Sequence, residues 1–162
     1  MKGKIIMDTK RKNELTEIAR EIRVGIIDAV HSAKSGHPGG SLSIADVLTY
    51  LYFEEMNIDP KNPKKPDRDR LVLSKGHCAP GLYSALAHRG YFPVEDLKTF
   101  RHTDSYLQGH PDMKHTPGVE MTSGSLGQGA STSCGMALAN KIDKTSVRIY
   151  TILGDGETEE GQ

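Results

Sequence analysis

The sequence is poor in cysteine, lacks tryptophan altogether and carries no charge imbalance. Its two cysteines, Cys78 and Cys134, have no cysteine–histidine cluster nearby. That argues against a disulfide framework or a zinc knuckle and fits free thiols in a reducing compartment. The 21 basic and 21 acidic residues cancel, leaving no surplus to hold a phosphate backbone. Nucleic acid is therefore not an expected partner. No apolar run approaches the roughly 20 residues that span a bilayer. The start of the chain, residues 1–7, offers only a short apolar patch before charged side chains, which is not a signal peptide. The expectation is a cytoplasmic protein with neither membrane nor nucleic acid as a partner.

What is present is the composition of one globular domain. The chain has 162 residues, 36% hydrophobic and 26% charged, and a domain of that size buries about 70% of its unfolded surface. Residues 13–34 place Leu15, Ile18, Ala19, Ile22, Ile26, Ala29, Val30 and Ala33 at helical spacing, with Asn13 as N-cap and the glycines of 36–40 as terminator. A second helix is expected from Ser41 or Ser43, where Ser43 and Asp46 resemble a capping box, burying Ile44, Val47, Leu48, Leu51 and Tyr52. Residues 57–69 form a polar, proline-rich loop, and Lys61, Lys64, Lys65, Arg68 and Arg70 read as a solvated run.

Leu71-Val72-Leu73-Ser74 reads as a buried strand, followed by a helix over 80–89 and a short one over 93–101 with Leu97 and Phe100 inward. Residues 109–118 are loop. A helix over 125–140 is rich in Gly, Ala and Ser, so another backbone or a ligand should come close to it. The clearest strand is 147–153. Helices between buried strands define an α/β fold, a parallel sheet with helices on both faces.

The chemistry concentrates in glycine-bearing turns. Gly154-Asp155-Gly156 follows the last strand, and open parallel sheets bind ligands beyond the carboxyl ends of their strands. A lone carboxylate there suits magnesium, which takes one or two carboxylates plus phosphate oxygens, and the glycines let backbone N–H groups approach a diphosphate. An ordinary strand-to-helix turn reads the same way. Glu157 and Glu159 read as acidic residues stabilising a helix's first turn. Three histidines sit in comparable turns: Gly36-His37-Pro38, Gly76-His77 and Gly109-His110-Pro111. Each can reach into a cleft and exchange protons near neutral pH, or be a plain turn histidine. His31, His88, His102 and His115 lack that setting and read as structural. The run Thr122-Ser123-Gly124-Ser125-Leu126-Gly127-Gln128-Gly129 suits an anion or a heteroaromatic ring, or equally a tight packing turn.

Five segments in order, from about Leu15 to Gln162, resemble transketolase. They are Ser35-Gly36-His37-Pro38-Gly39-Gly40, Arg68-Asp69-Arg70-Leu71-Val72-Leu73-Ser74-Lys75-Gly76-His77, Gln108-Gly109-His110-Pro111, Gly124-Ser125-Leu126-Gly127-Gln128-Gly129 and Gly154-Asp155-Gly156-Glu157-Thr158-Glu159-Glu160-Gly161-Gln162. Deoxyxylulose-phosphate synthase, which shares the cofactor, fits worse at the histidine segments.

The resemblance implies a thiamin diphosphate-binding fold, with residues 1–162 as a partial diphosphate-binding domain. It implies thiamine diphosphate and Mg2+ or Ca2+ as cofactors, with Asp155 on the metal and Gly156 on the diphosphate. His77 would contact the diphosphate and line the reaction centre, while His37 and His110 would contact the ketose and the two-carbon unit. Gly124 and Leu126 would meet the aminopyrimidine side through backbone groups, and Glu160 would join a carboxylate network at a subunit interface. The family reaction moves a two-carbon ketol unit between sugar phosphates in the pentose phosphate pathway, and the cofactor carries the difficult electronics. The second half of the family's cofactor motif, ending in paired asparagines, and the pyrimidine-binding domain are not in this sequence. The expectation is thus a truncated first half of a split transketolase, acting with a C-terminal subunit in a dimer of such pairs. The alternatives are a non-catalytic interaction module and a related ketol transferase for another sugar phosphate.

Overall fold

The computed structural model describes residues 7–162. The apolar patch at the start of the chain lies, apart from Met7, outside the described residues. Helix α1 spans Thr9–Ala33, and Asp8 rather than Asn13 caps it, its carboxylate accepting the Arg11 N–H at 2.7 Å. Asn13 sits a turn inside. The helix stops at Lys34, which adopts the left-handed conformation with φ 50° and returns its N–H to the His31 carbonyl. Its buried stripe is Leu15, Ala19, Ile22, Gly25, Ile26 and Ala29, the spacing that puts one helical face on a core.

Helix α2 (Pro38–Leu42) begins earlier than expected, because Pro38 supplies a preset φ at its first turn. Helix α3 (Ala45–Tyr50) follows and runs into one π-type turn, Leu51–Glu55. The Ser43–Asp46 capping box does not form. Ser43 Oγ donates instead to the Gly40 carbonyl at 2.8 Å, and Asp46 pairs with Arg23 of α1. Val47, expected in the core, faces outward, whereas Ile44, Leu48, Leu51 and Tyr52 are buried.

Strands β1 (Arg70–Leu73) and β2 (Ile149–Ile152) pair in parallel, with Leu71 opposite Tyr150 and Leu73 opposite Ile152. The crossover between them carries a short 3-10 turn Gly76–Cys78, helix α4 (Ala79–Arg89), a second 3-10 stretch Val94–Thr99 and helix α5 (Gln128–Ile142). One sheet face, bearing Leu71, Leu73 and Ile152, joins Ile22, Ile26, Leu48, Tyr83, Leu86, Phe100 and Leu107 in the main core. The other face, with Ile149 and Thr151, meets Ala130, Ser133 and Ala137 of α5. Helices therefore cover both faces, as the alternation of elements implies.

Asp69 clasps the strand starts. Its buried carboxylate accepts the Asn57 N–H at 2.9 Å, the Arg148 N–H at 2.8 Å and the Arg148 guanidinium at 2.6 Å. The Arg148 N–H is thus spent on Asp69 while its carbonyl accepts the Arg70 N–H at 2.9 Å, and β2 proper begins at Ile149, two residues into the apolar run. Arg68 is also no solvated charge: it forks onto Glu120 at 2.6 and 2.5 Å between half-buried side chains. Among the described residues, no helix is long and apolar enough to cross a membrane.

Candidate functional site

Both strands deliver their carboxyl ends to the same edge, where the glycine-bearing turns gather. β1 leads through Ser74 and Lys75 into Gly76-His77, and β2 leads through Leu153 into Gly154-Asp155-Gly156. Helix α2 sits tightly on the first of these turns: a Cβ on Gly40 would lie 2.6 Å from Cys78 Sγ. That packing brings His37, at the start of α2, against His77 with ring centroids 5.0 Å apart and planes at 74°.

His110 arrives from the opposite side. Its loop hangs from the core by Tyr83, whose hydroxyl lies 2.9 Å from each of the Gln108 and His110 carbonyls and donates to them. Burial pushes the Tyr83 phenol far above its ordinary pKa, so it remains a donor at any working pH. The His110 ring then abuts Gly124, where a Cβ would come within 3.2 Å of His110 Cγ. Gly124 in turn lies against the β1 turn, since a Cβ on Gly76 would be 2.9 Å from the Gly124 nitrogen. Ser123 Oγ locks this contact by donating to the Leu73 carbonyl at 2.7 Å.

The three turn histidines thus converge, with His77 electrostatically coupled to both others. His77 is half-buried. Burial first, then His37 and Lys75, and more weakly His110, hold its imidazole below the ordinary 6.5, with Glu157 pulling the other way. A neutral imidazole at pH 7 results, able to accept a proton.

Asp155 and Gly156 lie exposed at the end of β2 and open the 3-10 turn Gly156–Glu159. The position a Gly156 side chain would take has no atom within 4 Å. The Asp155 backbone carbonyl is engaged by Thr158, while its carboxylate enters no hydrogen bond or ion pair among the described residues. Glu160 is exposed, and its Cβ lies 3.1 Å from where a Gly127 side chain would begin. Leu126 is half-buried beside it in sequence, on the loop into α5. No group of three or more His, Cys, Asp or Glu side chains among the described residues could hold a metal ion. Asp155 could therefore supply one carboxylate, a donor set that suits magnesium on a phosphate ligand.

Glu157 is the residue that sequence reasoning misplaced. It is buried, not a solvated acid in a helix's first turn. One carboxylate oxygen accepts the Ser74 hydroxyl at 2.6 Å and the Gly127 N–H at 2.9 Å, and the other accepts the Gly154 N–H at 2.9 Å. It therefore ties the end of β1, the start of α5 and the end of β2 together. Burial pushes its carboxyl upward, but those three hydrogen bonds and His77 outweigh it and leave the carboxyl below its ordinary value. Helix α5 can approach because Gly129 has no side chain: a Cβ there would lie 2.6 Å from Ser74 Cα. Lys75, which the sequence did not single out, is buried behind the β1 turn. The only signal for either residue was adjacency to a glycine motif, which does not report burial.

The family described as "Transketolase, thiamine diphosphate binding domain" matches residues 15–162. The 6-deoxy-6-sulfo-D-fructose transketolase subunit of Clostridium sp. (strain MSTE9) is 51% identical over 95% of this chain and 56% of its own length. An apulose-4-phosphate transketolase subunit from Phocaeicola vulgatus is 45% identical over 86% of this chain and 49% of its own length. Among solved structures, the transketolase of Campylobacter jejuni superposes with a TM-score of 0.85 at 40% identity, covering 96% of this chain and 25% of that one. The chain spans about half the length of the subunit relatives and about a quarter of the solved transketolase.

Proposed function

The chain belongs to the transketolase thiamine diphosphate-binding domain family, and from that premise we propose that it is the front part, residues 1–162, of the diphosphate-binding domain of a ketol transferase assembled from separate subunits. The observation that carries this reading is the meeting of His37, His77 and His110 at the strand ends that also present Asp155 and Gly156. Two relatives named as transketolase subunits support a division into separate polypeptides.

The bound cofactor supplies the electron sink that lets a carbon–carbon bond beside a ketose carbonyl break. The protein's own residues position and move protons. Asp155 gives one carboxylate to magnesium or calcium, and Gly156 lets its backbone N–H approach the diphosphate. His77, held neutral, would contact the diphosphate and line the reaction centre. His37 and His110 bind sugar hydroxyls and carry protons on and off them. Gly124 and Leu126 would hold the aminopyrimidine side through backbone groups, and Glu160 would contribute a carboxylate contact at a subunit interface. A second polypeptide completes the site, and two such pairs form the dimer. The free thiols Cys78 and Cys134 fit a cytoplasmic setting, and the pentose phosphate pathway is the expected context.

The test is transfer of a two-carbon unit from xylulose 5-phosphate to ribose 5-phosphate by the assembled subunits, with thiamine diphosphate and magnesium present. Asp155→Ala should lose metal-dependent cofactor retention in the same assembly. Unchanged retention would refute the metal assignment. A second reading, a donor other than a pentose phosphate, is favoured by the 51% identity to the sulfo-fructose enzyme subunit. Competing donor sugars in one assay decide between the two.

A further inference from the structure

Arg70 opens β1 at the edge opposite the glycine-bearing turns, about 10 Å along the strand from its carboxyl end. The basic run it belongs to reads as solvated in the sequence. In the fold its Nε is sealed from solvent and has no hydrogen-bond partner among the described residues. None of the ion pairs among those residues includes it. A guanidinium carries five N–H donors in a planar fork that matches a carboxylate or a phosphate. Arg68, two residues earlier, completes such a fork on Glu120. Arg70 finds no acid of its own.

Arg70 lines a cavity of about 520 Å³ between the proline-rich loop and the loop over 113–120, a size ordinary for a small-molecule site. Both walls are held from within. Arg68 joins them through Glu120 and also donates to the Lys65 carbonyl at 2.9 Å. In the facing loop Asp112 accepts the Lys114 N–H at 2.8 Å and pairs with His115 at 2.7 Å. Thr116 Oγ donates to the Tyr106 carbonyl at 2.8 Å, and a Cβ on Gly118 would lie 2.6 Å from Tyr91 Cδ1. The charge in the cavity is one-sided. Lys64, Arg70 and Lys114 line it and enter no ion pair among the described residues. The lining carboxylate, Glu120, has both oxygens on Arg68. Pro63, Met113, Pro117 and Val119 add apolar wall.

We propose that this cavity is a separate ligand site, at the far end of the sheet from the histidine cluster, and that it takes a phosphate monoester with an apolar or aromatic body. The Arg70 guanidinium pairs with the phosphate oxygens, and Lys64 and Lys114 balance the remaining charge. Three unpaired cations suit a dianion better than a single carboxylate. The cavity has room for more than a phosphate group, and its apolar wall gives the rest of the ester a surface to cover. The site uses none of the histidines or the Asp155 turn, so it stands or falls apart from the cofactor reading.

The experiment uses the assembled protein with thiamine diphosphate and magnesium in excess, so that a phosphate probe does not compete at the opposite edge. Calorimetry measures binding of phenyl phosphate, inorganic phosphate and phenol to the parent, to Arg70→Met and to the double variant Lys64→Met/Lys114→Met. The parent should bind phenyl phosphate more tightly than inorganic phosphate, and phenol not measurably. Arg70→Met should weaken phenyl phosphate roughly tenfold to hundredfold, the effect of losing a charge-assisted fork. The double variant, whose lysines are exposed, should weaken it roughly threefold to tenfold. Because the Arg70 side chain donates to nothing among the described residues, its melting temperature and its affinity for thiamine diphosphate should match the parent's. Phenyl phosphate that binds the parent and Arg70→Met equally, or fails to bind the parent, would overturn the proposal. Should Arg70→Met not fold, equal affinity in the parent and the double variant overturns it instead. Inorganic phosphate held as tightly as phenyl phosphate would overturn the ester.

Discussion

Helices α4 and α5 are both built largely of small residues, yet α4 is buried from Ala79 through Ala87 while α5 buries only Gly129 and Ser133. Helix α4 is enclosed by α1, α2, α3 and the turn over 94–99. Helix α5 packs chiefly on the sheet, and with Leu138, Ile142 and nearby Leu153 it presents an exposed apolar surface. The same composition thus does two jobs. In α4, small side chains let large neighbours such as Tyr83 and Leu86 interlock with α1. In α5 they let a backbone approach a strand end, at Gly129 over Ser74, so that Gly127 can donate to Glu157.

The sharpest way to break that comparison is to empty both regions of a large side chain. Tyr83→Ala should cost about 3–5 kcal/mol in denaturant unfolding, because a fully buried ring leaves a cavity and frees the Gln108–His110 loop. Leu138→Ala on α5 should stay within about 0.5 kcal/mol. Similar costs would mean that α5 is as enclosed in solution as α4.

A finer cut lies within α5. Gly129→Ala should destabilise by about 1–3 kcal/mol, since the new methyl meets the backbone of Ser74. Gly135→Ala, with nothing within 4 Å, should stabilise by about 0.5–1 kcal/mol. Two stabilising substitutions would show that close approach is not why Gly129 is glycine. At the junction of the regions, Glu157→Ala leaves Ser74 Oγ and the N–H groups of Gly127 and Gly154 without their partner. About 1–3 kcal/mol should be lost, with the exchange of those two amide hydrogens accelerated. An unchanged exchange rate would mean that the three segments hold together without it.

The smallest effect is a pH dependence at the site. The folded protein holds the His77 pKa below the ordinary 6.5. Between those two values the unfolded chain binds more protons, so stability is complete above 6.5 and declines as pH falls toward the folded value. His77→Gln should flatten that slope in unfolding measured across the interval, and an identical slope would assign the dependence to another group.

Much of the fold was legible. The apolar spacing of α1, the two short strands and their parallel pairing through a crossover all follow from periodicity and from which elements alternate. Boundaries were less so. Asp8 displaces Asn13 as the cap by lying one turn earlier, and Val47 faces water although its neighbours Ile44 and Leu48 do not. In the candidate site, the motifs marked the turns that carry His37, His77, His110, Asp155 and Gly156, because glycine-bearing turns are visible in one dimension. Glu157 and Lys75 were not visible as buried groups. Their sequence neighbours are polar, and only packing of α5 and α2 onto the strand ends removes them from water.

The sequence by itself determined the element types, the parallel sheet and the turns that could carry chemistry, since those depend on local spacing and backbone freedom. The tertiary structure alone decided which charges lie in low dielectric and which turns meet. Those are long-range outcomes: Ser74, Gly127 and Gly154 share one carboxylate only because two strands and a helix, far apart in the chain, end at the same place.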